Sequence, residues 1–181
     1  LLEEVRRLMD VAACSVWLIA PGTGELVCRQ AIGPQSEAVR GWRLPLDEGI
    51  AGHTARSGES QIVADTWVDE RYFAGVEQRT GLSLRSILSV PLWTKEHVIG
   101  VLQAVDTEPN RFDADHLRLL EPLAAAAAIA IENARLFQQV QAGREQLQTL
   151  SHRLVETQET ERHHIARELH DQVGQALTTI D

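Results

Sequence analysis

Hydrophobic and polar positions follow two different periods along this chain. In its first part, Leu1, Leu2, Val5, Leu8 and Met9 recur at helical spacing and predict an amphipathic helix over 1–10. The apolar run 12–19 predicts a buried strand. The turn Pro21-Gly22-Thr23-Gly24 then joins it to a second strand over 25–31, a hairpin signature. A loop through Gly33-Pro34 leads to Trp42-Arg43-Leu44-Pro45-Leu46. Residues 49–56 predict a short helix that stops at Ser57-Gly58, with Gly58 as its left-handed cap. A short strand is expected at 61–64. The polar stretch 66–83 has little periodicity and predicts one short helix lying over the domain. Residues 86–93 and 98–105 read as the last two strands, joined by a turn at Glu96-His97. Strands with hairpin-length connections and helices at the ends predict an α+β fold with an antiparallel sheet.

The second period is helical and long. Asp113 is placed to cap a helix starting near Ala114. After Pro122 there is no proline, and Ala, Glu, Gln, Leu and Arg dominate, all good helix formers. One long helix is expected, with Gly143 as its candidate break. Ile129, Asn133, Leu136, Val140, Gly143, Leu147, Leu150, Leu154 and Thr157 step alternately by four and three, the beat of a parallel two-stranded coiled coil. Beyond Thr157 the beat changes: Glu161, Ile165, Leu169 and Val173 each step by four. Repeated fours make a stutter, which locally unwinds a supercoil and lets two packings compete.

Composition narrows the possibilities. A chain of 181 residues fits one domain plus an extension. The formal net charge of −9, with Lys95 the single lysine, argues against nucleic-acid binding. Cys14 and Cys28 share no metal or redox spacing, which suggests a reducing, cytoplasmic setting. The apolar run 123–131 is too short to span a bilayer, and no signal peptide is visible. The chain starts with Leu, so the expectation is a piece of a longer protein that could carry a membrane anchor upstream.

The candidate chemistry lies near the carboxyl end. His170 has a neutral imidazole near physiological pH and is nucleophilic. Asp171 beside it is placed to orient the ring and take its proton during attack. Asp171 and Gln175, at i and i+4, share a helix face. Arg167, one turn before Asp171, could steady a phosphoryl charge. His152, His163 and His164 are read as solvated side chains; the last two point about 100° apart on a helix and have no zinc-like company. There is no Gly-rich phosphate loop, nucleophile elbow or catalytic triad spacing, so a self-contained enzyme finds little support.

Two resemblances add to this. The run Glu161-Arg162-His163-His164-Ile165-Ala166-Arg167-Glu168-Leu169-His170-Asp171-Gln172-Val173-Gly174-Gln175-Ala176-Leu177 resembles the phospho-accepting box of sensor histidine kinases of the nitrate-sensor subfamily. That resemblance implies that His170 accepts phosphate from ATP and passes it to an aspartate of a response regulator. It implies Asp171 as general base and Gln175 as the residue that positions water for phosphatase action. The chain ends eleven residues after His170, so ATP is expected to bind in a catalytic domain outside it, and the fragment alone to be inactive.

Upstream, several runs in order resemble the GAF domain, a sensor module related to PAS domains. They are Leu46-Asp47-Glu48-Gly49-Ile50-Ala51-Gly52, Asp65 with Asp69-Glu70-Arg71-Tyr72, Arg85 to Leu92, Val98-Ile99-Gly100-Val101-Leu102, and Ala128 to Ala134. Gly49 and Gly52 permit tight backbone, and Gly100 sits where a strand bulges. The expected organisation is a sensor domain over 1–139, a coiled-coil linker over 140–158 and part of a dimerisation and phosphotransfer helix over 159–181.

A ligand pocket is expected between sheet and covering loops, at His53, Tyr72, Phe73, Ser86, Leu88 and Gln103. The ligand is unnamed. Asn110-Arg111-Phe112-Asp113-Ala114-Asp115-His116 departs from the cyclic-nucleotide pattern, and no cysteine sits beside a histidine as bilin attachment requires. Sulfoxide reductase activity on this fold needs paired loop cysteines, whereas Cys14 and Cys28 fall on strands. Haem through His53 or His97 is the remaining cofactor reading. The expected partners are a second copy of the chain and a response regulator. The alternative function is a non-enzymatic ligand-binding or dimerisation module with a static coil.

Overall fold

The computed structural model describes residues 2–178, with side chains described through Leu150 and at Arg153 and Gln158. Leu1 and residues 179–181 lie outside the described residues, as do the side chains of His170, Asp171 and Gln175. The chain runs α1 (Leu2–Met9), β1 (Ala13–Ile19), β2 (Leu26–Ile32), α2 (Ser36–Val39), β3 (Arg43–Leu44), α3 (Gly49–Ser57), β4 (Gln61–Val63), a 3-10 turn (Thr66–Val68), α4 (Gly75–Thr80), β5 (Ser86–Trp93), β6 (Val98–Asp106) and α5 (Ala114–Thr178). Two compact units are distinguished, Leu1–Glu132 and Asn133–Asp181.

The first unit is built on a six-stranded sheet of order β3-β2-β1-β6-β5-β4, with every neighbouring pair antiparallel. Alternation along the strands sends side chains to two cores. On one face Cys14, Val16, Leu88, Val90, Leu92, Leu102 and Ala104 pack with Leu2, Val5 and Met9 of α1 and with Leu120, Ala124, Ala127 and Ala128 of α5. On the other, Trp17, Leu26, Cys28, Ala31, Leu44 and Val101 pack with Val39 of α2 and Ala51 and Ala55 of α3. Leu88, Leu92, Leu102 and Leu120 are fully buried, each contributing about 1.5–3 kcal/mol relative to exposure. Leu8 was expected on the buried face of α1 but is 62% exposed; Leu2, Val5 and Met9 alone form that face.

Two bulges decide which side chains reach which core. Arg29 is the extra residue of β2 opposite Val16 and Trp17, so Cys28 and Ala31 both face the α2–α3 side. Ile99 is the extra residue of β6 opposite Leu92 and Trp93, which turns it to the α5 side while Val101 faces the other. Gly100 follows that bulge, and β1 crosses so closely that a Cβ there would meet the Trp17 carbonyl oxygen at 2.1 Å. The absence of a side chain is what lets the two central strands pair here.

Other expectations meet small differences. Helix α3 ends as anticipated, with Gly58 left-handed at φ 69° and its N–H bonded to the Thr54 carbonyl. The polar stretch after Asp65 forms two short helical pieces, not one, and the loop between β2 and α3 holds α2 and β3, too short to leave a periodic signal. Helix α5 is continuous through Gly143. Asp113 caps it, accepting from the backbone N–H groups of Asp115 and His116 at 2.9 and 3.0 Å.

Candidate functional site

The sheet face turned toward α2, α3 and α4 carries a row of small or polar residues. Ala31 pairs with Ser15, Ser15 with Gln103, and Gln103 with Ser89, so the row crosses β2, β1, β6 and β5. Small side chains in such a row cannot reach the opposing helices, and the space they leave is a cavity of about 90 Å³. Ala31, Ser15 and Gln103 form its floor; Ile50 and Ala51 of α3 and Val76 of α4 are among its walls. None of the residues lining it is Asp, Glu, Lys, Arg or His.

The polar groups at the floor are mostly engaged with each other. The Trp17 indole N–H donates to Ser15 Oγ at 2.9 Å, and Gln103 Nε2 donates to Ser89 Oγ at 3.2 Å. Tyr72, in the cover, differs: its hydroxyl is buried and has no hydrogen-bond partner among the described residues. Burial, followed by the nearby Glu77 carboxylate, pushes the phenol up to about 12, so it stays neutral and able to donate. Trp17 and Phe73 line the cavity and are linked through Trp42, with ring centroids 6.2 and 6.1 Å apart in tilted arrangements.

The segment covering the cavity is tied down from several sides. Asp65 accepts two hydrogen bonds from Arg85, at 3.0 and 2.6 Å, and its carboxyl is held below the usual range by that guanidinium and by the Trp67 N–H. Arg85 also lies 3.8 Å from the Trp67 ring. Thr66 Oγ1 donates to the Leu84 carbonyl across the same segment. Arg71 grips both oxygens of Asp69 and reaches Gln61, and it keeps the Asp69 carboxyl below its ordinary value. Arg79 of α4 donates to the Ala38 carbonyl and stacks over Trp42 at 5.2 Å, joining the cover to α2.

Of the six residues expected at the pocket, Tyr72, Phe73 and Gln103 line the cavity; His53, Ser86 and Leu88 do not. Leu88 is fully buried in the α1–α5 core, on the opposite face. The register shows why: Gln103 pairs with Ser89, so the odd-numbered neighbours on β5, Ile87 among them, share its face. Ser86 is buried and donates to the Glu108 carbonyl. His53 sits on α3 outside the buried set Ile50, Ala51, Thr54 and Ala55, and its charge contributes to lowering Asp69. His97 is exposed in the β5–β6 turn, so neither histidine considered for haem lines the cavity. Trp17, Ala31, Ile50 and Ala51 were missed; the period-2 parity of Ser15 with Trp17 was the signal available for the first. Cys14 and Cys28 are free and buried, and burial pushes both thiols up to about 12, which leaves them poor nucleophiles.

A second feature belongs to α5 alone. Among its described residues, Leu119, Ile129, Leu136, Phe137, Val140, Leu147 and Leu150 are exposed, and all but Leu119 and Phe137 are positions of the heptad stripe. His170 lies within the same helix. Among the described residues, no helix is long and apolar enough to cross a membrane, and no group of three His, Cys, Asp or Glu side chains could hold a metal ion.

Comparison with known proteins gives two family matches. Residues 1–132 match the family described as GAF domain, and residues 161–181 match one described as histidine kinase. A probable 3',5'-cyclic phosphodiesterase, pde-5, of Caenorhabditis elegans is 25% identical over 148 residues; the match covers 77% of this chain and spans 20% of that protein. The GAF domain from a phosphoenolpyruvate-protein phosphotransferase of Coxiella burnetii superposes with a TM-score of 0.69 at 24% identity, covering 75% of this chain and 80% of that one. The GAF-B domain of DevS from Mycobacterium smegmatis gives 0.61 at 23% identity, covering 77% and 93%. At these identities the two structures show a shared fold.

Proposed function

The chain belongs to the GAF domain family, and from that premise we propose that it is the sensory and phospho-acceptor portion of a two-component sensor histidine kinase. The observation that carries this reading is the helix α5. Its first turns supply Leu120, Ala124, Ala127 and Ala128 to the sensor core, and it runs unbroken to Thr178 through the segment that matches the histidine kinase family. A helix shared by a sensor core and a phospho-acceptor segment gives the first a physical means to influence the second.

In this reading two chains pair in parallel through the apolar stripe of α5, where Val140, Leu147 and Leu150 are each more than half exposed in the single chain. Leaving such a stripe in water forfeits the hydrophobic stabilisation that a second copy would supply. His170 takes the γ-phosphoryl of ATP bound in a catalytic domain outside this chain. Asp171 takes the imidazole proton as the N–P bond forms and ADP leaves. The phosphoryl then passes to an aspartate of a response regulator, and Gln175 orients the water that later hydrolyses that aspartyl phosphate to free phosphate. The cavity under Tyr72 is the sensing site, and a ligand acts by binding one arrangement of the dimer more tightly than the other.

The test is His170→Gln, assayed with γ-labelled ATP in the intact protein, or in this chain with a catalytic domain supplied in trans. Loss of acid-labile, alkali-stable label is expected. Undiminished labelling of the variant would remove the reading.

A further inference from the structure

Resting on the reading of the cavity as the sensing site, we propose that its ligand is a small uncharged organic molecule of no more than about six non-hydrogen atoms, apolar except for one hydrogen-bond acceptor that meets the Tyr72 hydroxyl. Three observations carry this.

The first is size. The cavity holds about 90 Å³, well under the roughly 300–1,000 Å³ of sites that take drug-sized ligands. It is nearer to an engineered cavity of about 150 Å³ in another protein that takes up benzene. A nucleotide or a tetrapyrrole is several times too large.

The second is charge. No Asp, Glu, Lys, Arg or His side chain lines the space. An anion or a zwitterion entering it would shed its hydration without gaining a side-chain counter-charge. Apolar rings and methyl groups surround the ligand instead: Trp17 and Phe73 offer ring faces and edges, and Ile50, Val76 and Ile87 complete the wall.

The third is a buried polar atom of the lining left without a protein partner among the described residues. Ser15 Oγ, the Trp17 N–H and Gln103 Nε2 are already engaged within the floor. The Tyr72 Oη is buried without a partner. A buried hydroxyl left so is costly, and a carbonyl or hydroxyl oxygen of the ligand placed beside it would relieve that cost. The same group sets selectivity, because a site built around a hydrogen bond discriminates against an isostere lacking it.

The experiment uses cyclopentanone as the probe and cyclopentane as its partner without an acceptor. Nitrate, acetate and cyclic GMP serve as charged competitors. The readout is the indole N–H resonance of Trp17 in the full chain, assigned with Trp17→Phe. Cyclopentanone should shift that resonance saturably. Tyr72→Phe, which leaves the fold intact, should weaken its binding about 2–10-fold, the worth of one neutral hydrogen bond. Binding of cyclopentane should be the same in both proteins. Displacement of cyclopentanone by nitrate, acetate or cyclic GMP at that resonance overturns the ligand class and leaves the sensing role standing. A Trp17 resonance that no probe moves overturns both the ligand class and the cavity's sensing role. His170 labelling, read separately, is untouched by either result.

Discussion

Tyr72→Phe is expected to stabilise the unliganded protein, the reverse of what removing a tyrosine hydroxyl from a satisfied core does. The hydroxyl is buried and makes no hydrogen bond to another described residue of the protein. An unsatisfied buried polar group costs about 1–3 kcal/mol, and the ring that remains in phenylalanine keeps its contacts. A gain of about 1 kcal/mol follows, which for a unit of this size raises the melting temperature by roughly 4 °C. Urea or thermal unfolding followed by tryptophan fluorescence measures it.

The same side chain gives an independent check, because it is the single tyrosine of the chain. Tyrosinate absorbance near 295 nm therefore titrates one identified group. Burial pushes that group up from 10.0 to about 12. At a pH between these values the unfolded chain has released the phenol proton and the folded chain retains it. Unfolding then releases a proton, so stability falls as pH rises through this window and is fully present below it. In Tyr72→Phe that alkaline loss should vanish. A parent titration midpoint near 10, together with a variant less stable than the parent, would falsify the account of Tyr72 and of the cavity around it.

Three further outcomes are expected. Gly100→Ala forces a methyl against the Trp17 carbonyl and the Leu18 backbone and should cost about 1–3 kcal/mol. Gly143→Ala, with nothing within 4 Å, should instead gain up to about 1 kcal/mol of helix stability; equal effects in a denaturant titration would contradict the register at the bulge. Single cysteines at Leu147 and Leu150, exposed in the isolated chain, should crosslink efficiently between copies and change their relative yields between kinase-on and kinase-off states. Identical yields in both states would reduce the coil to a static clamp.

Much of the fold is legible in the sequence because burial writes a period. Strands β1, β2, β5 and β6 and helix α3 fall within a residue or so of their expected bounds, since apolar runs and punctuating glycines mark them. The shortest unanticipated elements, β3 and α2, complete too little of a period to be read, whereas β4 and one short helix in the covering stretch were expected from their flanking punctuation. The site is less legible for a different reason. Gln103 and Leu88 were expected to share a face, yet they are separated by the parity of a register that only pairing with a neighbouring strand reveals. One bulge at Arg29 and another at Ile99 shift parity again within β2 and β6, and a single sequence does not announce an extra residue. The chemistry proposed for His170 is a different case, because it rests on positions of one contiguous helix, where spacing sets which residues share a face.

The layering also constrains how a ligand in the cavity could reach α5. The cavity and the helix lie on opposite faces of one sheet, so any influence must cross it. The crossing points are the two central strands, β1 and β6. On β1, Ser15 faces the cavity and its neighbour Val16 packs in the core shared with α5; on β6, Gln103 and Leu102 stand in the same relation. Adjacent residues of a strand cannot move independently, because the same backbone ladder holds both. Under the proposed sensing role, a ligand that displaced the floor would press on a layer packed against Ala124, Ala127 and Ala128. Close-packed interiors transmit such displacements instead of absorbing them. Under that role, the alanine-rich first part of α5 is the surface that would receive such a displacement.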